Sequence, residues 1–231
     1  MKIAIMQPYL FPYIGYFQLI NSVDKFIFFD DVNFIKKGWI NRNNLLLNND
    51  SFLFTIPLIK PSQNKLINET YILDENAWKI NLLKTIKTSY QKAPFFEIIF
   101  PVLENTFNSK MGKISDLAIL SILTVCKYLN IEKKFDSSSK YNNKELKAQE
   151  RIIDLCLINK ATEYINPIGG INLYNKNDFK KNEIELYFIK TKEIKYIQFN
   201  KNFIPNLSII DLLMFVEKSE IRKLLDENEL L

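Results

Sequence analysis

Apolar residues recur along the chain at two alternating periods. Lys2–Met6 (KIAIM) is a short, almost wholly apolar run and predicts a buried strand. Pro8 and Pro12 bracket the aromatic loop Tyr9-Leu10-Phe11, and Tyr13–Asn21 then predicts a helix, apolar on nearly all sides and therefore buried. Lys25–Phe29 (KFIFF) is a second β-rich run, ending at Asp30-Asp31. Strand, loop, helix and strand in this order open a βαβ unit, so the two strands are expected side by side and parallel. Leu45–Leu47 and Phe52–Ile56 flank Asn48-Asn49-Asp50, which predicts a hairpin.

The helical period takes over in the middle of the chain. Ala77–Tyr90 places Trp78, Leu82 and Ile86 on one stripe. Lys113–Leu129 does the same with Ile114, Leu117, Ser121, Thr124, Val125 and Tyr128, and Lys144–Lys160 with Leu146, Ile153 and Leu157. Lys134–Ser137 fits a strand between the last two. Tyr164–Asn166 reads as a short strand running into Pro167-Ile168-Gly169-Gly170, and Ile184–Ile189 and Tyr196–Phe199 as further β-rich runs. Ser208–Phe215 begins the last helix, with Ser208 and Asp211 in the S-x-x-D capping pattern. Strands and helices interleave. The expected fold is therefore a single α/β domain with a largely parallel central sheet in Rossmann-like order. Residues 77–130 form its helical middle segment, a lid or subdomain.

Composition narrows the chemistry. The chain has 231 residues, 47% of them apolar and 25% charged, enough for a substantial core. Its 31 basic and 26 acidic residues are dispersed, and a net charge of +5 is too mild for a nucleic-acid-binding surface. An anionic small substrate suits it. No histidine is present, which excludes Ser-His and Cys-His catalytic pairs and His-ligated metals. Cys126 and Cys156 lie in apolar helical patterns and read as buried free thiols. No metal site and no cofactor are expected. Acid–base work falls to Asp, Glu, Lys, Tyr, Cys or a substrate group. No apolar run approaches the roughly 18 residues of a membrane span. The expected location is the cytoplasm, with no signal peptide.

Candidate site residues concentrate between Gln7 and Asn43. In open α/β sheets, ligands sit outside the carboxyl ends of the strands. The first strand runs into Gln7-Pro8-Tyr9 and the second into Asp30-Asp31, so the two loops converge if the strands are parallel. The following segment, Lys36 to Asn43 (KKGWINRN), is long enough to close over the same crevice. In it Arg42 offers a planar fork for phosphate, supported by Lys37. Asn41 and Asn43 offer amides for hydroxyls, and Trp39 a flat face for a base or a sugar. The plainer alternative is a polar turn before the hairpin with Trp39 on the core. Asp30 and Asp31, as adjacent strand residues, would point to opposite faces. One is then the catalytic carboxylate and the other faces solvent or caps a turn. Gly169 and Gly170 are candidates for an anion-binding nest. No GxGxxG or Walker A sequence occurs. Asp211 reads as a helix-capping group, and Gln198 and the Ser137–Ser139 triplet as polar walls of a site.

The stretches KIAIMQPYLFPYIGYFQLI and FDDVNFIKKGWINRN, followed by TIPL, SYQKAPFF, INPIGG, YIQF and LSIIDLLMF, together resemble the WbqC-like family of bacterial proteins. The likeness runs over nearly the whole chain. Many members carry a histidine before the Gln-Pro pair where this chain has Met6, so histidine is not essential to the shared function. The family is associated with gene clusters for O-antigen and other surface polysaccharides. The resemblance implies a biosynthetic role in making or decorating an unusual sugar. The expected activity is transfer of an acyl or aminoacyl group, from an acyl- or aminoacyl-carrier donor, to the amine of a nucleotide-linked sugar. Arg42 and the lysines would hold phosphates, Trp39 or Tyr9 would stack, and Asp30 or Asp31 would take the amine's proton. Two alternatives stay open. One is a nucleotidylyl- or adenylyl-type transferase. The other is a non-enzymatic partner of a carrier protein or glycosyltransferase.

Overall fold

A computed structural model of the chain describes residues 1–199 and 202–231. Its centre is a six-stranded sheet built from β1 (Lys2–Met6), β2 (Lys25–Phe28), β5 (Lys134–Ser137), β6 (Glu163–Pro167), β7 (Glu185–Thr191) and β8 (Asn228–Leu230). The spatial order is β5-β2-β1-β6-β7-β8. Every pairing is parallel except that of β8. β1 and β2 pair along their length, from Ile3 opposite Lys25 to Met6 opposite Phe28, as the βαβ pattern predicts. The connection between them is α1 (Ile14–Asn21).

The chain moves outward on one side from β1 to β2 to β5. It then crosses back through α5 (Ala148–Ile158) to β6 on the other side of β1. The order thus reverses between β1 and β6. Here the β1–β6 ladder contains only Lys2 opposite Glu163 and Ile3 opposite Tyr164, although the strands continue to Met6 and Pro167. The sheet splits at its carboxyl edge at the point of topological reversal, the position where doubly wound sheets bind ligands.

Strand alternation assigns the two faces. Ala4, Phe26, Phe28 and Ile165 join a large buried cluster with α1, α4 (Ile114–Leu129) and α7 (Ile209–Phe215). Ile3, Ile5, Ile27, Tyr164 and Phe188 pack with Ile152 and Leu155 of α5 and Phe179 of α6 (Lys176–Lys180). Helices therefore cover both faces. Leu82 and Ile86 of α2 (Asn76–Tyr90) and Phe96 and Leu103 of α3 (Phe96–Phe107) belong to the same large cluster as the sheet. α8 (Lys218–Leu224) packs beside α4 and α7.

The hairpin forms from β3 (Arg42–Leu47) and β4 (Asp50–Thr55). Its turn residues Asn48 and Asn49 have φ of 52° and 64°, the left-handed pair a tight hairpin needs and asparagine tolerates. Three expectations are corrected. α3 has no counterpart among the elements predicted from periodicity, because Pro94 and Pro101 punctuate it; Pro101 stands inside the helix. Tyr196–Phe199 is not a strand: the edge of β7 beyond β6 is taken by β8, and Tyr196 and Gln198 bond to a side chain instead. Ser208 does cap α7, accepting from Ile210 N at 3.3 Å, but the Asp211 side chain turns into the core rather than capping. Among the described residues no helix is long and apolar enough to cross a membrane.

Candidate functional site

The loop after β1 is held in a strained shape. Phe11 is wholly buried with φ of 41°, a left-handed conformation that is rare for a bulky residue and costs about 1–3 kcal/mol. Three hydrogen bonds hold it. Its N–H donates to Ser121 Oγ at 3.0 Å, and its carbonyl accepts from Asn43 Nδ2 and Ser208 Oγ, both at 2.7 Å. Asn43 also reaches the Leu10 carbonyl, and Asn41 donates to the Ile56 carbonyl. Both asparagine amides therefore serve the backbone. A Cβ on Gly15 would lie 2.3 Å from the Tyr13 ring and 2.6 Å from Thr191 Oγ1. Glycine at this position lets Tyr13 fold back over the start of α1 and lets α1 approach the end of β7.

This loop builds an aromatic hollow of about 220 Å³ lined by Tyr9, Pro12, Tyr13, Trp39, Asn43 and Asn206. Tyr13 and Trp39 are each 43% exposed, so their ring faces are open to a ligand. Tyr13 and Asn206 also line a second cavity of about 1000 Å³, so the two spaces adjoin across these residues. The larger cavity lies outside the carboxyl ends of β6 and β7, against Ile168, Lys190 and Thr191, and its outer wall comes from residues of the 192–208 segment. Its size is at the upper end for small-molecule sites. Lys190, Lys192 and Lys195 border it with Glu193. Lys195 pairs with Glu193 at 2.6 Å and Lys192 with Glu227 at 3.3 Å. Among the described residues Lys190 has no carboxylate within 4.0 Å.

Asp30 and Asp31 depart from the strand-alternation expectation. β2 ends at Phe28, so alternation no longer governs them. Both are buried, at 6% and 4% exposure, and both reach the hydroxyl of Ser138. Their environments differ. Asp31 takes Arg151 Nη2 on both oxygens, at 2.8 and 2.7 Å, and Arg151 is itself only 4% exposed. The guanidinium is fixed further by Nε donating to Asn143 Oδ1 at 3.1 Å and by the Phe29 ring 5.0 Å away. Asp30 has no cationic partner among the described residues. Its Oδ1 accepts from the Ser139 N–H at 3.0 Å and its Oδ2 from Ser139 Oγ at 2.8 Å. Asn68 Nδ2 stands 3.5 Å from the same Oδ2, at the limit of a hydrogen bond, so this oxygen has room for another donor. The end of β1 lies directly beside this pair, with Phe29 N–H bonded to the Met6 carbonyl at 2.9 Å.

The remaining expected residues have distinct positions. Arg42 donates to the carbonyls of Gly38 (3.1 Å) and Lys37, with its guanidinium 5.7 Å from the Trp39 ring. It braces the Lys36–Ile40 loop under Trp39 and does not pair with Asp30 or Asp31. Lys37 is exposed with φ of 62°. Gly169 and Gly170 lie in a single 3₁₀ turn after β6 and neither has positive φ, so the alternating-hand nest expected of them does not form. Gly170 is needed for packing: a Cβ there would meet Asn166 Nδ2 at 1.9 Å. Gln7 presents a buried Oε1 with no partner among the described residues, while its backbone carbonyl accepts from the Tyr16 hydroxyl at 2.8 Å. Arg151 was missed from sequence because it meets Asp31 across 120 positions. Its one local signal is a charged residue leading the apolar run Ile152-Ile153. Among the described residues no group of three His, Cys, Asp or Glu side chains could hold a metal ion. Cys126 and Cys156 are free and buried, and burial pushes both thiols up to about 12.

A doubly wound α/β domain, split at its reversal point and hollowed along its carboxyl edge, is a ligand-binding class of architecture. The chain matches the WbqC-like protein family over residues 7–223 and belongs to it. It is similar to the "Uncharacterized protein Rv1507c" of Mycobacterium tuberculosis (strain ATCC 25618 / H37Rv). The two are 29% identical over 220 residues, covering 93% of this chain and 94% of that protein. No solved structure matches.

Proposed function

We propose that the protein is a biosynthetic transferase that moves an acyl or aminoacyl group onto the amine of a nucleotide-linked amino sugar used for surface polysaccharide. One observation carries this reading. The aromatic hollow at Tyr9, Tyr13 and Trp39 adjoins, across Tyr13 and Asn206, a large cavity bordered by lysines. A nucleotide sugar has the matching two-part chemistry. Its diphosphate suits Lys190 and Lys195, and the apolar face of a sugar ring suits Trp39. Asp30, just beyond the end of β2 and outside the residues that line either space, is the group assigned to receive the amine.

The roles divide by charge. Arg151 neutralises Asp31, so Asp31 serves to hold Ser138 in place. Asp30, without a cation, is the proton acceptor, and its Oδ2 is where the substrate ammonium enters. Asp30 takes one proton from the ammonium, and the neutral nitrogen attacks the acyl carbonyl carbon of a thioester donor. The N–C bond forms and the C–S bond breaks. The nitrogen sheds its second proton to the departing thiolate, and Asp30 returns its proton to water. Arg42 contributes by stiffening the loop that presents Trp39.

Calorimetric titration with UDP- and dTDP-linked amino sugars tests the reading. Lys190→Glu with Lys195→Glu should weaken binding at least tenfold, and Trp39→Ala should do so without lowering the melting temperature. Asp30→Asn should bind sugar nucleotide and fail to transfer. Equal affinity of wild type and the double lysine variant would remove the cavity from the function.

A further inference from the structure

The outer wall of the large cavity comes from residues within 192–196 and 202–208, which contain no helix or strand. Such a segment needs an anchor, and the anchor is one side chain beneath it. Asp211 in α7 is 0% exposed. Its Oδ2 accepts from the Tyr196 hydroxyl at 2.6 Å and from Gln198 Nε2 at 2.8 Å. Its Oδ1 accepts from the Tyr90 hydroxyl at 2.9 Å, and that oxygen in turn accepts from the Leu46 N–H of β3 at 2.8 Å. Gln198 extends the hold by clasping Ile204: Nε2 donates to the Ile204 carbonyl at 3.1 Å, and the Ile204 N–H donates to Oε1 at 2.8 Å. The titratable groups facing the carboxyl are the Tyr90 and Tyr196 phenols. Among the described residues no Lys or Arg nitrogen lies within 4.0 Å of it. A buried carboxyl group joining three elements without a cation is an expensive way to fill a core. It is explained if the wall's shape matters.

We propose that Asp211 is a positioning residue for the cavity: through Tyr196 and Gln198 it sets the wall that presents Lys192, Lys195 and Asn206 to the ligand. The identity of that ligand rests on the nucleotide reading above; the hold on the wall does not. Protonation supplies a distinguishing signature. Burial raises the Asp211 carboxyl above the usual carboxylate range, against the lowering effect of its three donors. With the wall released, water reaches the group and part of the burial that raises it is relieved. The closed wall therefore binds the proton more tightly than the open one. By linkage, the closed wall is most stable below the ordinary carboxylate pKa, and it loses stability as pH rises toward the raised one.

The test is hydrogen exchange of the Ile204 amide, which donates to Gln198 Oε1 at 2.8 Å, corrected for its intrinsic rate, beside calorimetric titration of UDP. Tyr196→Phe removes only the 2.6 Å bond and keeps the ring against Phe203. It should raise exchange at the Ile204 amide at least fivefold and weaken UDP about tenfold, with the exchange of β1 and β2 unchanged. Asp211→Asn is the neutral near-isostere: its oxygen can still take Tyr196 and Gln198, while its nitrogen faces the Tyr90 hydroxyl, which loses its acceptor on this side chain. It should keep Ile204 protection and UDP affinity near those of the wild type and abolish the pH dependence of wall opening expected of the wild type. Unchanged exchange in Tyr196→Phe overturns the proposal. So does raised exchange with undiminished UDP affinity. A wild type that binds no UDP defeats the nucleotide reading, while the exchange data still decide whether Asp211 holds the wall.

Discussion

Replacing Arg151 with Met should be among the most damaging single changes outside the apolar core. The guanidinium supplies both short contacts to Asp31, at 2.8 and 2.7 Å, and the side chains are 5% and 0% exposed. Without it Asp31 keeps the Ser138 hydroxyl and a distant Lys144, 3.9 Å away and 58% exposed. A surface lysine of that kind contributes about 0–1 kcal/mol. A buried carboxylate stripped of its partner costs about 3–5 kcal/mol, a large part of the roughly 5–15 kcal/mol that holds a domain together. For a chain of this size each kcal/mol moves the melting temperature by about 2–4 °C, so a fall of roughly 6–20 °C is expected. Urea unfolding and thermal melts of Arg151→Met measure it. The double variant Asp31→Asn/Arg151→Met removes the uncompensated charge and should regain more than half of the loss. A single variant that melts within 2 °C of wild type, or a double variant no better than the single, would refute the idea that Arg151 neutralises Asp31.

Three further outcomes follow from the same geometry. Ser121→Ala strips the partner from the Phe11 N–H in a wholly buried site and should destabilise by about 1–3 kcal/mol in urea titrations. Gly170→Ala forces a Cβ to 1.9 Å from Asn166 Nδ2 and should cost about 1–3 kcal/mol, while Gly169→Ala, with nothing within 4 Å, should stay within about 0.5 kcal/mol; equal effects would contradict the packing role. Cys126 and Cys156 stay protonated at pH 8 because burial holds both thiols near 12, so native protein should resist iodoacetamide and react only on unfolding, as intact-mass measurements will show.

The parts of the fold that were legible in the sequence are those carried by local pattern. The β1–α1–β2 unit and the Asn48-Asn49 hairpin need only neighbours in the chain to specify them. α3 was hidden because Pro94 just before it and Pro101 within it imitate loop punctuation in a helix that tertiary packing sustains. β8 was hidden because Asn228–Leu230 is short and mostly polar and gains its strand character only by pairing with β7. For the site, Ser137–Ser139 and Gln198 stood out as polar residues beside buried elements, and both proved to bind buried carboxylates. Alternation misdirected the reading of Asp30 and Asp31, because it presumes a strand that ends two residues earlier. The partners Arg151 and Tyr90 are reached only through tertiary contacts, and a single sequence carries no mark of those.

The most direct measurement is a crystal soaked with a UDP- or dTDP-linked amino sugar. A diphosphate beside Lys190 and Lys195, a sugar ring on Trp39, and its amine within hydrogen-bond distance of Asp30 Oδ2 are expected. A nucleotide seated elsewhere, or an amine directed away from Asp30 with that carboxylate untouched, would contradict the proposed function.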